Sequence, residues 1–151
     1  MSKYTIHLDL PGGWEKEEST YTEVDGTDVT HIECHLPDDV AKKDLAVVDI
    51  YSGLMPSDTT AADEALANYA DIVGFDETDP EDFDPIIEWP FAGKKAYGFE
   101  ALCEDDSPMR LMCIEIKKGI LCIMSICAQN DEKLIETIKL VERNLRYKAE
   151  E

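Results

Sequence analysis

Residues 119–128 read GILCIMSICA. Apart from Ser125, every side chain from Ile120 to Ala128 is apolar. A strand with one wet face alternates apolar and polar residues; this stretch does not, so as a strand it needs cover on both sides. It therefore belongs in the middle of a sheet. Lys118-Gly119 just before it is a two-residue hairpin turn, which makes residues 110–117 its antiparallel neighbour. Residues 95–104 form a further strand, with Tyr97, Phe99, Ala101 and Cys103 on one face and the turn Asp105-Asp106-Ser107-Pro108 after it.

A central strand predicts helices to cover it, and the sequence has two. Over 60–73, Ala62, Leu66, Tyr69 and Val73 share one helical face. Ser57, Asp58 and Thr59 offer N-caps, Asp63 and Glu64 suit the positive end of the helix dipole, and Gly74 stops the helix. Over 131–146, Leu134, Ile138, Val141 and Leu145 form the stripe. Asn130 is the N-cap, Asp131 and Glu132 open the helix, and Arg143, Arg146 and Lys148 lie near its end.

The first fifty residues read as strands. Residues 4–10 alternate, with Tyr4, Ile6, Leu8 and Leu10 on one face. Residues 18–24 are a weaker strand before the Asp25-Gly26 turn. Residues 29–36 alternate again with Ile32, Cys34 and Leu36 inward, and 45–51 are rich in apolar and β-branched residues. Together they suggest an antiparallel meander. The expected fold class is α+β: a single antiparallel β-sheet of at least five strands, with 120–128 central, flanked on its faces by two main α-helices. One domain spans residues 1–151, a length that needs neither disulfide nor metal to fold.

The order of elements resembles the PsbP-like fold group. The opening YTIHLDLPGGW, the segment FAGKKAYGFEALCE and the close GILCIMSICAQNDEKLIETIKLVERNL carry the resemblance. It implies a single antiparallel sheet with helices on both faces in a small bacterial protein. It also implies a role in binding proteins more often than in chemistry. No functional residue is carried over by it.

Charge decides what the protein can bind. The formal net charge is −20, and residues 44–93 hold 13 Asp or Glu and no Lys or Arg. Nucleic-acid backbones and anionic lipids are repelled, whereas a protein with a basic surface is attracted in a salt-sensitive way. No apolar run is long enough to span a membrane, and no secretory signal opens the chain, so a cytoplasmic protein is expected. Its oligomeric state is not legible.

The densest acidic stretch is FDETDPEDFDP at 75–85. It lacks the glycine of an EF-hand calcium loop and contains two prolines, so it reads as a solvated loop. Its aromatics, with Trp89 and Phe91 just beyond, either fold back on the core or stay exposed. If exposed, Phe83, Trp89 and Phe91 with Asp79, Glu81 and Asp82 make a candidate protein-binding site.

Metal and catalytic sites are not expected. His31, Glu33 and His35 share a strand face, but residues i and i+4 of a strand lie about 13 Å apart. Two nitrogens on one zinc are no more than about 4 Å apart. The cysteines Cys34, Cys103, Cys113, Cys122 and Cys127 contain no C-x-x-C and read as buried residues of a reducing compartment. G-x-S-x-G, G-x-G-x-x-G and H-E-x-x-H are absent. No cofactor, metal or catalytic residue is assigned. Three function classes follow: a non-catalytic interaction module of chaperone or adaptor type, an acidic inhibitor or immunity-type protein that neutralises a basic partner, and a small enzyme with an unrecognised site.

Overall fold

A computed structural model describes residues 3–8, 10, 14–22, 28–36, 46–54, 58–74, 85–102, 107–117 and 119–150. In chain order the elements are β1 (Lys3–Leu8), β2 (Glu15–Thr22), β3 (Asp28–His35), β4 (Ala46–Leu54), α1 (Ala61–Ile72), β5 (Ile87–Phe91), β6 (Lys94–Leu102), β7 (Pro108–Lys117), β8 (Ile120–Ala128), α2 (Asp131–Asn144) and β9 (Leu145–Glu150). The fold is α+β. Its main body is one seven-stranded sheet of order β2-β3-β4-β8-β7-β6-β5. Every neighbouring pair in it is antiparallel.

The two-sided apolar strand β8 lies fourth of the seven strands, as its sequence requires. Ile120, Leu121, Cys122, Met124, Ile126 and Ala128 are buried. Its even-numbered residues face α2 in a cluster with Val48, Ile50, Met112, Leu134, Ile138 and Val141. Its odd face begins with Leu121, which packs with Phe99, Leu111 and Cys113 beneath Ala61 and Ala65 of α1. The two helices therefore lie on opposite faces.

Both helices start on local capping chemistry. Thr60 caps α1 and forms a reciprocal box with Asp63, its hydroxyl accepting from the Asp63 amide. Asn130 caps α2 by accepting from the Lys133 amide at 2.8 Å. Such caps satisfy amides that the helix leaves orphaned. The stripe of α2 is buried as expected at Leu134, Ile138 and Val141. That of α1 is rotated from the expected one. Ala61 and Ala65 are buried and Tyr69 half-buried, while Leu66 and Val73 are 40% and 48% exposed. Small side chains let the helix settle close over Phe99, which Tyr69 meets edge-on at 5.2 Å.

Three elements depart from the sequence reading. β1 does not join the main meander; it pairs antiparallel with β9 in a separate ribbon, Ile6 opposite Tyr147 and Leu8 opposite Leu145. Ile6 and Leu8 are buried in the cluster that α2 covers. The ribbon thus shares the α2 face of the sheet, over β3 and β4. The second helix ends at Asn144, and the chain continues as β9. β5 forms despite Pro90, because an edge strand has a side that needs no ladder donor. The other edge, β2, carries Glu15, Lys16, Glu17 and Glu18, all exposed, a composition that discourages pairing with a second molecule.

Candidate functional site

One face of the sheet is covered by α2 and the β1–β9 ribbon. On the opposite face, α1 sits over β6 and β7. Among the described residues, no helix or strand covers that face across β2, β3 and β4. The registers place three cross-strand rows there. Glu17, Glu33 and Asp49 stand in line and continue into Ser125 of β8. Glu15, His35, Val47 and Cys127 form the row on one side. Ser19, His31, Tyr51 and Ile123 form the row on the other.

Each residue is placed by the two-residue period of its strand. β3 turns Ile32 and Cys34 into the core, so His31, Glu33 and His35 face outward. β4 buries Val48 and Ile50, so Val47, Asp49 and Tyr51 share the outward face. Glu33, His31, His35 and Asp49 are half-buried, and Tyr51 is 40% exposed.

The imidazoles are held by carboxylates on neighbouring strands. His31 Nε2 donates to Asp49 Oδ1. His35 Nε2 donates to Glu15 Oε2 at 3.0 Å. These bonds orient both rings and tie β2 to β3 and β3 to β4. The His31 ring also lies flat on Tyr51, the centroids 4.2 Å apart and the planes 4° from parallel. Glu17, Glu33 and Asp49 are less comfortable. Like charges directly opposite one another destabilise a sheet. No Lys or Arg occupies this face of β2, β3, β4 or β8 among the described residues; Lys16 is on the other face and donates to the Leu8 carbonyl at 3.2 Å. The helix α1 has no Lys or Arg in its whole length.

The sequence-derived candidates lie elsewhere. Phe91 is 2% exposed, inside the core cluster, and Trp89 packs half-buried against that cluster. Of the two outcomes open to the aromatics, these two take the fold-back onto the core. Phe83, Asp79, Glu81 and Asp82 lie outside the described residues, as does Cys103. Cys34, Cys113 and Cys122 are buried thiols, and Cys127 is half-buried on the face that carries Val47 and Asp49. Burial pushes the Cys113 thiol up to about 12, with the Glu64 carboxylate adding to it, and burial does the same to Cys122, with Cys113 adding to it. Neither is a nucleophile at neutral pH.

Among the described residues, no group of three His, Cys, Asp or Glu is arranged to hold a metal ion. No helix there is long and apolar enough to cross a membrane. His31, Glu33 and His35 were legible as one face of one strand. Glu15, Glu17, Asp49 and Tyr51 were missed, although each sits in an i, i+2 alternation that a face-by-face reading of its strand would have shown. Comparison with known proteins returns nothing: no family model, curated protein or solved structure matches this chain.

Proposed function

We propose that this protein is a non-catalytic interaction module whose sheet face bearing Glu17, Glu33 and Asp49 docks a partner with a basic surface. The observation that supports it is the row Glu17–Glu33–Asp49, three carboxylates directly opposite one another with no Lys or Arg on their face among the described residues. Such a row costs the free sheet energy. A cationic partner removes that cost on binding, so its charges gain more here than at scattered surface carboxylates. Tyr51, Ile123 and Val47 add aromatic and apolar area beside the carboxylates. An apolar patch with a charged rim is the anatomy of a protein interface. The acidic stretch at 75–85, with Asp79, Glu81 and Asp82, adds long-range attraction by its charge alone.

The continuity of the acidic rows favours a second reading within the same class. A partner whose own working surface is basic would be inhibited when that surface is occupied. The PsbP-like resemblance belongs to the same proposal, supported by the antiparallel sheet with a helix on each face.

The test is capture of partners from lysate at low and high salt, using the native protein, Glu17→Gln/Glu33→Gln, and Glu132→Gln/Glu136→Gln on the exposed side of α2. Basic proteins retained by the native chain and the α2 variant, released by salt and lost with the sheet variant, are expected. The same proteins retained by all three would overturn the docking face.

A further inference from the structure

The β1–β9 ribbon is held to the molecule differently from the strands of the main sheet. It is a two-stranded sheet of its own, with no strand pairing to the other seven strands among the described residues. β1 is the strand that lies against β3 and β4. It does so through Ile6 and Leu8, which are 1% and 0% exposed in one cluster with Ile32, Cys34, Val48 and Ile50. Leu10 and Trp14, beyond β1, pack on the same cluster, as does Leu145 at the start of β9. Lys16 of β2, which stands opposite Cys34, donates to the Leu8 carbonyl at 3.2 Å.

A two-stranded ribbon is marginal in water by itself and is stabilised by what it packs on. A strand of the main sheet leaves only when its ladder with the sheet breaks. The ribbon can leave with its own ladder intact, from Lys3–Glu150 to Leu8–Leu145. Its two connections suit such a movement. α2 runs directly into β9 at Leu145, whose backbone is already extended at φ −76° and ψ 129°. Residues 9–14 join β1 to β2. Lifting therefore loses the burial of Ile6 and Leu8 and the Lys16 hydrogen bond, and spares every ladder of the main sheet. Units of this kind open with less free energy than the whole fold.

We propose that the β1–β9 ribbon is a detachable strap: it lifts from the seven-stranded body while that body stays folded, and it uncovers an apolar trough floored by Ile32, Cys34, Val48 and Ile50. With the strap closed, none of these four side chains is more than 1% exposed. α2 covers the neighbouring part of the same cluster through Leu134, Ile138 and Val141, so β8 and its Cys122 stay enclosed when the strap lifts. The Cys34 thiol reports the lifting, and the Cys122 thiol reports unfolding of the whole sheet. The strap and the row Glu17–Glu33–Asp49 lie on opposite faces of the sheet. The inference thus goes beyond the docking reading and stands or falls independently of it.

The experiment follows alkylation of the full chain in native buffer at neutral pH, with the label on each cysteine mapped by mass over time. Cys34 is expected to react at least about tenfold faster than Cys122, because strap opening is more frequent than global unfolding. Ile6→Ala should speed Cys34 by about tenfold or more. Lys16→Met, a milder change at the surface, should speed it by about fivefold. Phe99→Leu lies under α1 on the other face, where lifting the strap disturbs nothing; it should speed Cys122 and leave Cys34 unchanged. Equal rates at Cys34 and Cys122, both raised by Phe99→Leu, would show that only global unfolding uncovers Cys34 and would overturn the strap. A Cys34 rate indifferent to both Ile6→Ala and Lys16→Met would overturn it as well, since some other opening would then expose the thiol.

Discussion

The guanidinium of Arg110 lies 4.2 Å from the centroid of the Trp89 ring. Arg110 also reaches Glu100, its direct partner on β6, at 3.6 Å. Trp89 is thereby packed between the core cluster and a cation, joining the edge strand β5 to β6 and β7. Trp89→Ala is expected to destabilise the fold by about 2–4 kcal/mol, through lost burial and the lost cation–π contact. Denaturant unfolding measures this. Capture of basic partners by the folded fraction should be unchanged. A variant of native stability would show that Trp89 does not hold the edge.

A side chain at Gly98 has no room. A Cβ there would lie 1.7 Å from the Leu111 carbonyl oxygen and 2.8 Å from its carbon, both backbone atoms. The contact can be relieved only by moving β6 away from β7. Gly98→Ala should therefore cost more than about 4 kcal/mol, an exceptional value for a single methyl group. Loss of soluble folded protein, or a fall in melting temperature by more than ten degrees or so, is the expected readout.

The β5–β6 turn holds a different kind of strain. Ala92 has φ of 51° and Gly93 of 80°, so both turn residues are left-handed. Only the second is a glycine. Glu142 of α2 accepts a hydrogen bond from the Ala92 amide at 2.7 Å, which holds the turn in place. Ala92→Gly removes the Cβ penalty of about 1–2 kcal/mol but adds freedom to the unfolded chain. A net gain of roughly 0.5–1 kcal/mol is expected from thermal or denaturant melts. A loss of stability would contradict the left-handed turn.

The buried thiols make a prediction about pH. Cys113 and Cys122 are raised to about 12, whereas an ordinary thiol sits near 9. The unfolded chain therefore loses these protons first. Their contribution to stability is intact below pH 9 and is lost as pH rises from 9 through about 12. In the native protein at pH 8 an alkylating reagent should leave both unmodified, and label should appear on them only under denaturant. Mass mapping of the labelled peptides checks this; rapid native labelling of Cys122 would place it outside the core.

Hydrogen exchange tests the centre of the sheet. The amides of 121–126 are enclosed by β4 on one side and β7 on the other, with side-chain cover on both faces. They should be among the slowest in the protein, opening only with global unfolding. Fast exchange there would remove β8 from the centre.

Elements were legible in the sequence where a local pattern has one physical solution. GILCIMSICA is apolar on both faces, and only a covered central strand buries both. Asn130 followed by the stripe Leu134, Ile138 and Val141 has one reading as a capped amphipathic helix, and α2 follows it. The outward face of β3, with His31, Glu33 and His35, follows from the same two-residue period. What a face meets was decided elsewhere. The alternation of Ile6 and Leu8 specifies a buried side but not a strand partner; β9 supplies it from the far end of the chain. Periodicity placed α1 on its bulkier residues, and the bulk of Phe99 beneath it selected Ala61 and Ala65 instead. The row Glu17–Glu33–Asp49 exists only because two registers align residues from three separate strands. A strand's side-chain period is local and is written in its own residues, whereas register and cover are set by long-range pairing, where each partner was chosen by the packing of all the others.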